Sequence, residues 1–137
     1  MTALHLTRVA FACTSVDDIP KRQAPFTQTM ADGRRVVQLT SARIPRRDLA
    51  GGSLYWIIRH HLVARQAIVL VEEVQLEGKA LALILLDAKL VPVAPMHHRA
   101  HQGWRYLTNA LAPADMPEGA QGLPPELAAS LAELSLI

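Results

Sequence analysis

The sequence has 137 residues, 50% of them hydrophobic, which is enough to bury the core of one domain without metals or disulfides. We therefore expect a single domain over residues 1–137. The formal net charge is +2, and the one cysteine, Cys13, excludes an internal disulfide and fits a reducing compartment, where it would be a small core residue. Because no apolar run is long enough for a signal peptide or a bilayer span, we expect a cytoplasmic protein with no membrane partner.

The first third of the chain predicts a strand, a short helix and a hairpin. Residues 4–13 alternate weakly as a strand does, and Ser15 with Asp18 resembles a capping box that opens a helix limited by Pro20. Asp32-Gly33 lies between the strand-like runs 27–30 and 35–40, which is a recognised hairpin signal. Residues 41–49 then predict a loop or a single helical turn.

The middle of the chain predicts further strands. The Gly51-Gly52 pair permits a tight bend before an alternating strand over 53–59. Residues 64–74 and 80–86 are apolar runs that indicate two central strands joined by a turn. Pro92 and Pro95 confine residues 91–96 to an edge strand or an extended segment.

The end of the chain changes character. Residues 112–123 are rich in proline and glycine and predict an extended segment, and leucines at helical spacing predict a C-terminal helix over 124–134. Together these elements predict an α+β fold: a small, mostly antiparallel β-barrel with two or three short helices.

Positive charge is concentrated in one window. Residues 34–65 hold seven arginines and one acidic residue, Asp48. The planar guanidinium group suits phosphate oxygens and stacking on rings, so the window indicates either a phosphate-binding surface or a solvated face with local ion pairs.

Two aromatic-basic blocks, residues 51–59 and 102–107, contain both tryptophans and both tyrosines. Rings beside guanidinium groups can stack on flat ligands, although Trp56 and Trp104 are also expected in the core. Together with the arginine window, the blocks predict a ligand-binding cleft. Its candidate residues are Arg43, Arg46, Arg47, Ser53, Tyr55, Arg59, Arg65, Gln102, Trp104, Arg105 and Tyr106.

The sequence contains only weak signals for catalysis or metal binding. His97, His98 and His101 match no zinc spacing, and Ser53 with His60 or His61 and Asp48 forms no nucleophile elbow. A P-loop and a dinucleotide fingerprint are both absent. We therefore assign no catalytic residue, metal site or cofactor.

The runs 43–49, 51–59, 64–68, 85–87 and 102–107 resemble the bacterial family catalogued as domain of unknown function 1489. The blocks Gly-Gly-Ser-Leu-Tyr-Trp and Gln-Gly-Trp-Arg-Tyr-Leu are specific to this resemblance, which covers nearly the whole chain. The family's pattern more usually has Lys-Gly where this chain has Arg59-His60. At the level of the fold, the arginine loop and the glycine turn also resemble PUA-like and ASCH-like barrels, which often bind RNA or modified bases.

The resulting hypothesis is a binding module, without a catalytic role, for RNA or a nucleotide-like ligand. Two alternatives remain open: a small-molecule enzyme of the hydrolase type, and a protein-interaction module. The protein is expected to be a monomer or a homodimer.

Overall fold

The computed structural model describes residues 3–116, and their architecture is one open eight-stranded sheet with a single α-helix. The helix, α1, spans Asp18–Gln23, and short 3₁₀ turns span Ala24–Phe26 and Asn109–Leu111. The strands are β1 (Leu4–Val9), β2 (Thr27–Thr29), β3 (Arg35–Ser41), β4 (Ser53–Ile58), β5 (His61–Leu76), β6 (Lys79–Asp87), β7 (Val91–His97) and β8 (Trp104–Thr108).

The strand order is β2-β3-β6-β5-β4-β1-β8, and β7 pairs with the first part of β5. Every pairing is antiparallel except that of β1 with β4. β5 joins the two halves of the sheet, because residues 61–67 pair with β4 and residues 68–76 pair with β6. The prediction of a mostly antiparallel sheet is confirmed.

The prediction of a barrel is wrong, because the sheet does not close. No ladder joins β2 to β8 within residues 3–116. β2 is three residues long and pairs with β3 only up to Val37, so the edge of β3 beyond that residue meets no strand on its β2 side. Closure would need a continuous strand at this position.

The helix is placed differently from the prediction. Pro20 does not limit α1; it lies in the first turn, where the missing N–H has no partner to lose, and the helix continues to Gln23. The Asp18 carboxylate accepts the Ser15 N–H at 3.1 Å and the Thr14 N–H at 2.9 Å. These bonds lower the pKa of Asp18 and fix the turn that enters the helix. Two or three helices were predicted, whereas residues 3–116 contain one α-helix; the predicted helix over 124–134 and most of the extended segment lie outside the described residues.

Two hairpin turns have the positive φ angles that their sequences predict. Gly33 has φ +88°, and the β5–β6 turn has positive φ at both Glu77 (51°) and Gly78 (77°). The β4–β5 turn uses Arg59 and His60 at φ 49° and 61°, without a glycine. Positive φ at two successive residues matches the twist of paired strands.

The core has two parts. The larger cluster includes Leu6, Trp56 and Trp104, and Ile19 of α1 packs into it. A smaller cluster on the other face of β4 includes Tyr55 and Ile57. Cys13 is partly buried and packs against the larger cluster. Within residues 3–116, no helix is long and apolar enough to cross a membrane.

Candidate functional site

The arginine loop of residues 42–50 packs on β8. Trp104 is 2% exposed, and its indole N–H donates to the Arg43 carbonyl at 2.8 Å. The Arg43 guanidinium carbon lies 4.2 Å from the Trp104 ring centroid. A guanidinium group therefore already occupies the position over the ring where a ligand would stack.

Tyr106 completes this contact. Its hydroxyl oxygen accepts the backbone N–H groups of Arg46 and Arg47 at 3.0 and 3.2 Å. The Arg47 guanidinium carbon lies 5.4 Å from the Tyr106 ring centroid, and the Arg46 side chain pairs with Glu73 at 3.2 Å. The backbone N–H groups and guanidinium groups of the loop therefore already have partners on the aromatic rings of β8 or on Glu73.

Ser53, Tyr55 and Arg65 contact different partners. Tyr55 is 4% exposed, and His5 meets it edge-on with ring centroids 5.1 Å apart. The Ser53 hydroxyl accepts a hydrogen bond from Arg65 at 3.2 Å, and Arg65 makes a bidentate pair with Asp115 at 2.7 and 2.9 Å. This pair raises the pKa of Arg65 and lowers that of Asp115.

The remaining predicted site residues lie on the surface. Arg59 is exposed in the β4–β5 turn, Gln102 is exposed before β8, and Arg105 is exposed on β8. Successive side chains of a strand point to opposite faces, so Arg105 faces away from Trp104 and Tyr106. The structure therefore separates the predicted residues into three groups instead of gathering them around one cleft.

The histidine-rich loop is held by internal hydrogen bonds. The carbonyl of Gln102 can only accept, so His101 donates to it from Nδ1 at 3.3 Å and its Nε2 accepts from the Thr7 hydroxyl at 2.7 Å. Burial lowers the pKa of both His98 and His101. Within residues 3–116, no three His, Cys, Asp or Glu side chains converge as metal ligands would.

Ser53 does not form the catalytic grouping considered from the sequence. Its backbone N–H donates to Nδ1 of His5 at 3.0 Å. His60 accepts from the Ala100 N–H at 2.9 Å instead, and Asp48 accepts from the Ala50 N–H at 2.9 Å. The serine hydroxyl thus meets a guanidinium group, which is no general base.

An open cleft of about 260 Å³ lies between β1, α1 and β3. Its apolar side chains include Ile19, Trp56 and Leu86. Both phenylalanines of the sequence line it and are exposed, Phe11 by 87% and Phe26 by 61%. Exposed aromatic rings beside an apolar cleft are typical of a surface that binds flat ligands.

Arg8 places positive charge in this cleft. In the strand register Arg8 is the partner of both Trp56 and Trp104, and its side chain is partly buried. The three ion pairs formed between residues 3 and 116 involve other arginines: Arg34, Arg46 and Arg65. Burial lowers the pKa of Arg8, and no acidic side chain of the described residues raises it. A partly desolvated guanidinium that has no counter-ion in this part of the chain favours an anionic ligand.

A network of two side-chain amides, from the buried Gln66 and the partly buried Gln23, fixes the Trp56 side of the cleft. Gln66 is 0% exposed, and its Oε1 accepts the Trp56 indole N–H at 2.8 Å. Gln66 and Gln23 exchange two amide hydrogen bonds at 2.7 and 2.9 Å, and Gln66 also donates to the Asp87 carbonyl at 3.1 Å. Because the indole N–H and both amide groups have hydrogen-bond partners in this network, the Trp56 indole is held in one orientation.

No pattern in the sequence predicts this cleft. Arg8 lies inside an apolar strand, Phe11 follows that strand, and Phe26 follows Pro25 before the first hairpin. These residues share no motif and no periodicity.

The fold and the cleft together define the class of protein: an open, mostly antiparallel sheet with one helix and a surface cleft that combines apolar, aromatic and cationic side chains. Residues 6–137 match a family described as "Protein of unknown function (DUF1489)", and the chain belongs to that family. The resemblance inferred from the two aromatic-basic blocks is thereby confirmed. Comparison with curated proteins and comparison with solved structures gave no match, and the likeness to PUA-like barrels stays a prediction.

Proposed function

We propose that this protein is a binding module for a nucleotide-like ligand, either RNA or a free nucleotide, and that the ligand binds in the cleft beside Arg8. The observation that carries the proposal is the position of Arg8, a guanidinium that forms no ion pair within residues 3–116 and lies beside two exposed phenylalanine rings. A nucleotide has the matching chemistry, since its base is flat and its phosphate is anionic. A cytoplasmic location, where such ligands are abundant, is part of the proposal and agrees with the free thiol of Cys13.

The lining of the cleft supports this chemistry further. Arg22 of α1 is a second cation at its rim, and none of the aspartates and glutamates between residues 3 and 116 lines it. The field in the cleft is therefore positive although the whole chain is near neutral. Stacking on Phe26 or Phe11 would supply sequence-tolerant affinity, and contacts between arginine and phosphate would make it salt-dependent.

The experiment is a fluorescence-anisotropy titration with a short single-stranded RNA of mixed sequence, at about 50 and about 200 mM salt. We expect a dissociation constant on the order of micromolar at the lower salt and clear weakening at the higher. Arg8→Gln and Phe26→Ala should each weaken binding about tenfold, which corresponds to about 1.4 kcal/mol.

Two control variants locate the site. Arg105→Gln removes an exposed cation from the opposite face of β8 and should leave binding within about twofold of the wild type at the lower salt. Arg46→Ala with Arg47→Ala removes the loop cations that pack near Tyr106. Loss of binding in this double variant, with Arg8→Gln unaffected, would contradict the assignment of the cleft.

A further inference from the structure

The cleft continues into a second recess. An adjoining groove of about 270 Å³ is lined by Arg8, Phe26, Gln38, Leu39 and Thr40. All of these except Thr40 also line the first cleft, whereas Phe11 and Trp56 line the first cleft alone. Arg8 and Phe26 therefore stand at the boundary between two connected spaces.

The second recess borders an unpaired strand edge. β2 pairs with β3 only up to Val37, while β6 pairs with β3 as far as Ser41 on the other side. Within residues 3–116, the backbone of Gln38–Thr40 has no strand on its β2 side. Open N–H and C=O groups at a strand edge are available to hydrogen-bond a ligand, as side-chain donors and acceptors would be.

The volumes of the two recesses and the position of Arg8 between them indicate how many nucleotides bind. Each recess is near the lower limit of small-molecule sites, so each suits one ring system and neither suits a large ligand. The cation shared by both recesses is Arg8. A polymer of alternating bases and phosphates would place one base in each recess and the phosphate that links them at the boundary.

Building on the proposed function, we infer that the site binds two consecutive nucleotides of single-stranded RNA, with the linking phosphate on Arg8. One base lies in the first cleft near Trp56, and the next lies against the open edge of β3. Double-stranded RNA is excluded because its bases are stacked and paired, which keeps them from a strand edge. The open N–H and C=O groups of this edge can hydrogen-bond the 2′-hydroxyl that distinguishes RNA from DNA.

The test compares adenosine 5′-monophosphate with the dinucleotide ApA, by calorimetric titration of the full chain. Each probe has one phosphate, and ApA has the smaller negative charge, so tighter binding of ApA cannot come from charge. We expect ApA to bind at least about tenfold more tightly than the monophosphate and more tightly than d(ApA). Equal affinities for ApA and d(ApA) would overturn the assignment to RNA.

A matched pair of variants tests the second recess. Thr40→Tyr fills the groove that Thr40 lines, and Thr29→Tyr makes the same change at an exposed position on β2 that lines neither space. Thr40→Tyr should reduce the affinity for ApA to that for the monophosphate and leave the latter unchanged, while Thr29→Tyr should change neither.

The affinities of the two probes for the wild type distinguish a wrong two-nucleotide site from a wrong proposed function. If ApA and the monophosphate bind equally well to the wild type, the two-nucleotide site is overturned while the proposed function stands. If neither probe binds even at low salt, the proposed function falls with it.

Discussion

Arg43 lies across the ring of Trp104, with its guanidinium carbon 4.2 Å from the ring centroid, while its carbonyl accepts the indole N–H at 2.8 Å. The two residues come from a loop and from β8, 61 positions apart. This relationship explains why a block that resembles a stacking surface in the sequence is part of the core in the fold.

We predict that Trp104→Phe lowers the free energy of unfolding by roughly 1–3 kcal/mol, because it removes a hydrogen bond and part of a buried ring. Arg43→Gln should cost roughly 0.5–2 kcal/mol through loss of the cation–ring contact. Urea denaturation of both single variants and the double variant measures the coupling. Strictly additive effects would contradict the contact.

Gln66→Leu should destabilise the protein by about 3 kcal/mol or more. The leucine would leave the Trp56 indole N–H and the Asp87 carbonyl without their partner in a site that is 0% exposed. Gln75→Leu makes the same change on the same strand at an exposed position, and it should be nearly neutral. The comparison uses urea unfolding, and equal effects of the two variants would refute the network's role.

Stability should fall as the pH drops below about 6.5. The folded-state pKa values of His98 and His101 are lowered, chiefly by burial, from the ordinary value of 6.5. The unfolded chain therefore binds protons first, so the stability these residues contribute is present above pH 6.5 and is lost as the pH falls through their folded-state pKa values.

Unfolding midpoints at about pH 7.5 and about pH 5.5 measure this dependence. The double variant His98→Gln with His101→Gln should show a smaller difference between the two midpoints. Without the His101 ring, the Thr7 hydroxyl can donate instead to the Arg105 carbonyl, 3.5 Å away. An unchanged difference would show that other groups cause the pH dependence.

Asp115→Asn should loosen the docking of residues 114–116 on β7. Asp115 pairs with Arg65 at 2.7 Å and bridges to Val93, and the neighbouring bonds from Ala94 to Ala114 and from Met116 to Pro92 depend on this docking. Hydrogen exchange should speed up at the Ala94 and Met116 amides and stay unchanged at Leu85 in β6. Uniform acceleration would indicate global destabilisation instead.

Local chemistry made part of the fold predictable. Asp32-Gly33 specifies its hairpin through backbone conformation, and the apolar runs in β5 and β6 specify central strands through burial. The β4–β5 turn was harder to predict because Arg59-His60 adopts positive φ without a glycine. Whether the sheet closes depends on the length of β2, which no local pattern encodes.

The candidate site was less predictable because its residues come from separate elements. Arg8 belongs to β1, Phe26 to a 3₁₀ turn, and Gln38 to β3. The blocks around Trp56 and Trp104 drew attention because rings and cations are adjacent in the sequence. In the fold, Trp56 and Trp104 are buried in the core and have partners within the protein. The exposed phenylalanine rings are those of Phe11 and Phe26.

The most direct test of the central claim is to follow amide and indole N–H signals by NMR while adenosine 5′-monophosphate is added. Trp56 lines the cleft, whereas the indole of Trp104 is bound to Arg43 beneath the arginine loop. We predict that the Trp56 indole and the amides of Gln38 and Leu39, which line the first cleft, shift and that the Trp104 indole does not. Shifts confined to Trp104, Arg46 and Arg47 would contradict the account and return the ligand to the arginine loop.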